Sequence, residues 1–152
     1  MYSKLVETLK EKNLSIGSVE SLTAGLFCAN IASVSGASSV LRGGLVTYAS
    51  ELKEKLADVD EEVITQFGVV SEEVARLMAS GGQKKLETNI CVSFTGNAGP
   101  SVLENKKVGE VFIGFAINDK LIVEHKIFSG NRNEIREQVC LFACEKLLKL
   151  IA

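Results

Sequence analysis

A single histidine, a single proline and no Cys-x-x-Cys pair set the first limits on this 152-residue chain. With His125 alone, a histidine-based catalytic triad and a multi-histidine zinc site are both poor fits. Cys28, Cys91, Cys140 and Cys144 also lack metal-ligand spacing, so they read as reduced, buried thiols packing as small hydrophobes. No apolar run approaches the roughly 20 residues that cross a bilayer. The opening MYSKLVETLKEKN is charged throughout, without the apolar centre of a signal peptide, and a cytoplasmic location is expected. Nor does one sign of charge dominate. The 17 Lys and Arg are scattered and outnumbered by 19 Asp and Glu, which argues against a nucleic-acid partner. The full spacing of a dinucleotide fingerprint or a P-loop is missing, which argues against NAD and ATP. No linker, repeat or low-complexity stretch divides the chain, and Pro100 falls in a glycine-rich turn.

What is present is an ordinary globular composition, 46% hydrophobic and 24% charged, expected to form one domain over residues 1–152. SKLVETLKEKN carries apolar residues at amphipathic helical spacing. LSIGSVE reads as a strand, and helical spacing resumes in SLTAGLFCANIASV. VLRGGLVTYA reads as a strand, and SELKEKLADV as a short helix capped by Ser50. DEEVITQFG and SEEVARLMASGGQKKLE suit two more helices, the second opening on Ser71. NICVSFTG is an apolar strand, GEVFIGFAI and KLIVEHKIF form a hairpin about NDK, and NRNEIREQVCLFACEKLLKLIA is a closing helix. In that hairpin His125 shares a strand face with Leu121, Val123 and Ile127, a structural setting. The expectation is an α/β fold with a mixed sheet covered by helices on both faces.

In such sheets ligands bind at the carboxyl ends of strands, beside the helix starts that follow. ESLTAG, TYASELK and FTGNAGP meet that description. Ser21 in the first is either a helix N-cap or a nucleophile beside free N–H groups that would hold an oxyanion or a phosphate. Hydroxyl nucleophiles need a base. Lys53 lies one helical turn into the element after Tyr48, so it is a solvated helix residue or, if burial lowers its pKa, the base for Ser21, with the Tyr48 hydroxyl relaying the proton or orienting the amine. Thr95 and Gly96 end a strand in a turn that permits close backbone approach. Arg42 and Arg132, each beside glycines, are candidates to grip a phosphate, whereas Arg136, Lys146 and Lys149 read as a solvated face.

Taken in order, VESLTAG, GASSVLRGGLVTYASELK, FGVVSEEVARLMASG, SFTGNAGP, VGEVFIGFA and FSGNR resemble the CinA carboxy-terminal domain, the nicotinamide-nucleotide amidase family, across nearly the whole chain. The resemblance implies a cytoplasmic hydrolase that converts nicotinamide mononucleotide to nicotinic acid mononucleotide and ammonia. Neither metal nor organic cofactor is implied, nor any nucleic-acid or membrane partner, and a homodimer or higher homo-oligomer is expected. It places the nucleophile at Ser21 and further catalytic residues at Tyr48, Lys53 and Thr95, the last helping to place the lysine and water. Candidate substrate contacts are Thr23, Gly25, Arg42, Gly43, Gly96 and Arg132. The chain departs from the family's usual wording at Leu22, Ala24, Ser50 and Asn131, and most of all in AGPSVLENKKVGEV, which brings fewer glycines, a Val102–Leu103 pair and Glu110. Two alternatives follow from these departures: a nucleotide-binding domain without turnover, and a serine amidase acting on another small amide.

Overall fold

Two almost wholly buried runs, Ile16–Glu20 (β1) and Ile90–Gly96 (β3), form the middle of one sheet. The computed structural model describes residues 1–102, 104 and 106–152. Leu41–Val46 (β2), Glu110–Ile117 (β4) and Lys120–Ile127 (β5) complete the order β2-β1-β3-β4-β5. β1 runs parallel to β2 and β3, while β3/β4 and β4/β5 pair antiparallel, so the sheet is mixed, as the sequence predicts.

Helices cover both faces. Tyr2–Glu11 (α1), Leu26–Ala32 (α2) and Arg132–Leu150 (α6) lie on one, and Ser50–Ala57 (α3), Glu61–Phe67 (α4) and Glu72–Leu86 (α5) on the other. The two-residue period of a strand sorts the side chains. Ile90, Val92 and Phe94 join the core under α1, α2 and α6, whereas Cys91 and Val19 join the core under α5. Phe27 of α2 packs on Phe94 with ring centroids 5.1 Å apart; burying each such side chain contributes about 1.5–3 kcal/mol. Gly81 and Gly82 bring α5 close: a Cβ on either would meet the Ala57 carbonyl or the side chains of Val19 and Cys91.

Several local expectations need revising. α2 begins at Leu26, because Ala24 (φ 46°) and Gly25 (φ 94°) take left-handed backbone and make Thr23–Gly25 a turn. Ser50 is the first helical residue of α3, with Ala49 at the cap, and β2 stops at Val46, short of Tyr48. Asp60, Ser71 and Asn131 do cap their helices, each accepting a backbone N–H. All four cysteines are free; Cys28 is half-buried and the other three are buried. His125 stacks on Phe112 at 4.2 Å and sits 2.8 Å from Glu110, a surface packing arrangement that absorbs that departure from the family's wording. Among the described residues no helix is long and apolar enough to cross a membrane.

Candidate active site

The three parallel strands end side by side, and the ladder carries past their last residues. The Ser21 N–H donates to the Phe94 carbonyl (3.1 Å), and Thr47 N–H to the Glu20 carbonyl (2.8 Å). Ser21 is thereby held at the rim, 9% exposed, with its own N–H already used.

Ser21 does not cap the helix; Glu20 does. This carboxylate is 1% exposed, a burial that costs several kcal/mol unless compensated. Compensation comes from four donors. Oε1 accepts the N–H groups of Gly25 (3.1 Å) and Phe27 (3.0 Å), and Oε2 accepts Cys28 N–H (3.1 Å) and the Ser18 hydroxyl (2.7 Å). The positive end of α2 is therefore neutralised from beneath, and the first helical amides are unavailable to a ligand. Gly25, a candidate substrate contact, has its N–H committed to Glu20. From Ser21 to Cys28, the N–H groups left without an acceptor among the described residues are those of Leu22 and Thr23, directly after the serine.

Lys53 projects from the first turn of α3 and is 2% exposed. Its Nζ donates to the Thr47 carbonyl (2.8 Å) and lies 3.3 Å from Ser21 Oγ. Burial draws its pKa down from 10.5 to about 8, opposed by the negative charge of Glu104. A pKa so close to neutrality leaves an appreciable neutral fraction, as a general base requires. Glu104 lies in a loop where no spacing in the sequence singles it out. Its two carboxylate oxygens accept Val69 N–H (2.9 Å) and Val70 N–H (3.0 Å), pinning that loop to the entry of α5.

Thr95 is buried beneath, its hydroxyl donating to the Val69 carbonyl (2.7 Å), so it ties β3 to the segment that Glu104 holds. Tyr48 is 55% exposed, and its hydroxyl accepts from Arg132 Nη2 at 2.6 Å. Arg132 Nη1 donates to the Gly99 carbonyl at 2.7 Å. Ser21, Leu22, Tyr48, Gly96, Asn97, Ala98, Gly99, Ser101, Val102 and Arg132 line a cavity of about 220 Å³. Leu103 lies outside the described residues. Thr23 sits wholly buried behind the cavity, its hydroxyl without a hydrogen-bond partner among the described residues.

The structure does not bring Arg42 and Gly43 to this cavity. They pair near the beginning of β1, at the other end of the strand, where Arg42 Nε donates to the Leu86 carbonyl (2.9 Å) beside Glu87. Conversely Arg136, expected on a solvated face, reaches over the turn after Ser21. Its Nε donates to the Leu22 carbonyl and Nη2 to the Thr23 carbonyl, both at 2.9 Å. Besides Glu104, Glu20 and Arg136 are the contributors missed from sequence. "E-S" at a strand end was a usable signal for the first; nothing in one helix repeat signalled the second.

An α/β domain with a buried lysine beside a serine at the ends of its parallel strands defines the class. The profile of the CinA C-terminal domain matches residues 1–151, and the chain belongs to that family. A CinA-like protein from Petrotoga mobilis is 42% identical over 148 residues, which are 97% of this chain and 37% of that protein. The chain thus spans about a third of the length of the curated relatives it matches. Among solved structures, a competence/damage inducible protein from Agrobacterium tumefaciens is 30% identical with a TM-score of 0.91, covering 99% of this chain and 96% of that one. A CinA superfamily protein from Klebsiella pneumoniae shares the fold at a TM-score of 0.97 and 21% identity, over 99% of this chain and 94% of that one.

Proposed function

We propose that the chain is a serine amidase hydrolysing the carboxamide of nicotinamide mononucleotide to nicotinic acid mononucleotide and ammonia. The observation that carries this reading is the buried Lys53 amine, drawn to a pKa of about 8, 3.3 Å from Ser21 Oγ. Neutral Lys53 takes the Ser21 proton as Oγ attacks the amide carbon. The oxyanion is held by the N–H groups of Leu22 and Thr23, the ones not already engaged beside the nucleophile. The proton on Lys53 passes to the departing nitrogen, which leaves as ammonia, and the ester left on Ser21 is cleaved by water, with Lys53 again taking the proton. The family's name for this domain does not specify the substrate; the amide and the mononucleotide are the reading that the resemblance and the Ser–Lys pair jointly support.

The Tyr48 hydroxyl accepts from Arg132 on the wall of the cavity and keeps its own O–H, so in this reading it relays the proton or orients Lys53. Each terminal nitrogen of Arg132 keeps a second N–H for an anion, which makes it the phosphate contact in this reading. About 220 Å³ is small beside the roughly 300–1,000 Å³ of typical ligand pockets, so the pyridine carboxamide fills the cavity while the ribosyl phosphate lies at its mouth by Arg132. Purified chain should release ammonia from nicotinamide mononucleotide much faster than from the riboside or free nicotinamide, measured side by side. Folded protein releasing none from the mononucleotide overturns the reading.

A further inference from the structure

Arg136 belongs to α6, yet both edges of its guanidinium work on other groups. Nη1 donates to Asn133 Oδ1 at 3.2 Å on its own helix, and Nε and Nη2 grip two successive carbonyls, Leu22 and Thr23, each at 2.9 Å. Those carbonyls sit in the turn that follows Ser21, before α2 begins. The turn has only two backbone bonds of its own, Ala24 N–H to Ser21 O (3.0 Å) and Leu26 N–H to Thr23 O (2.9 Å). Its outer carbonyls are therefore held from another element, by the one side chain whose planar fork matches two acceptors at once.

Peptide planarity turns this grip into chemistry. In a trans peptide the N–H points opposite to the carbonyl of the same unit. Holding the Leu22 carbonyl toward α6 therefore aims the Thr23 N–H the other way, and a charged donor on the oxygen polarises that N–H further. The Ser21 N–H is bonded to Phe94, and the Gly25, Phe27 and Cys28 amides are bonded to Glu20. Within the turn the Leu22 and Thr23 N–H groups remain for an oxyanion, and the second of these shares its peptide unit with a carbonyl that Arg136 holds. We propose that Arg136 is a positioning residue that sets and polarises one oxyanion donor of the turn after Ser21, the Thr23 N–H. The inference rests on the amidase reading for its chemistry, though its geometry does not.

Arg136→Lys tests it, since an ammonium keeps the charge but grips only one carbonyl. Arg136→Lys is expected to fold, to keep KM within a few-fold, and to lose about 100-fold in kcat, in line with the loss of one oxyanion donor. The pH dependence set by Lys53 should stay in place. Millimolar guanidinium should raise the kcat of Arg136→Ala, a response that lost packing alone does not give. A kcat for Arg136→Lys within about three-fold of wild type, or a loss confined to KM, overturns the proposal. If wild type releases no ammonia, the amidase reading fails separately. A fluorophosphonate probe then decides the Arg136 proposal by its rate of reaction with Ser21: slower in Arg136→Lys supports it, equal rates refute it.

Discussion

Replacing Lys53 by methionine should change how the stability of the protein depends on pH, in a direction fixed by burial. Lys53 is 2% exposed, and its pKa falls from 10.5 in the unfolded chain to about 8 in the fold. Below about pH 8 the amine is protonated in both states, and the folded chain bears the full cost of a buried charge. Above about 10.5 it is neutral in both, and the cost is gone. Between those values the unfolded chain binds more protons, so stability rises with pH. The gap from 10.5 to about 8 corresponds to about 3 kcal/mol, of which about 2.5 kcal/mol is recovered between pH 7 and pH 10. The assay is urea denaturation of wild type and Lys53→Met at intervals across that range, plotted as the difference between them. Taking the difference cancels the buried thiols, whose pKa values burial raises and which lose stability as pH rises. Wild type should gain on the variant by about the stated amount. A difference that stays flat with pH would refute the claim that Lys53 is desolvated, and with it the claim that it is poised as a base.

The same amine should govern catalysis: kcat/KM should rise with pH through a limb near 8, because only neutral Lys53 accepts the Ser21 proton. Glu104 raises that pKa by its charge, so Glu104→Gln should move the limb to lower pH, and an unmoved limb would show that its charge does not reach Lys53. Glu20→Gln should destabilise the fold by about 2–4 kcal/mol in urea, since an amide NH2 then faces N–H donors in a buried site. A change below about 0.5 kcal/mol would contradict the capping role given to Glu20.

The elements with the strongest patterns were legible in the sequence. The apolar run at β3, the alternating hairpin β4/β5 and the capped starts of α4, α5 and α6 each carry a local signal, and each formed near its expected bounds. Boundaries failed where tertiary bonds override spacing. Helical periodicity runs back to Ser21, but the Glu20 carboxylate draws the amides of Gly25, Phe27 and Cys28 to itself and starts the helix only at Leu26. At the site, Ser21 and Lys53 are brought together as the order of strand ends suggests. Arg42 could not be separated from Arg132 by sequence, because both stand beside glycines at element ends. The register that puts Arg42 at the far end of β2 is a property of the whole sheet. Arg136 was missed for a similar reason: its acceptors lie 114 and 113 residues away along the chain.

Ammonia release from nicotinamide mononucleotide, measured for wild type and Ser21→Ala of matched stability, tests the central claim most directly. The account predicts turnover by wild type and none above the blank in the variant. Release retained by Ser21→Ala would contradict it, since Ser21 Oγ is the one hydroxyl hydrogen-bonded to the Lys53 amine among the described residues.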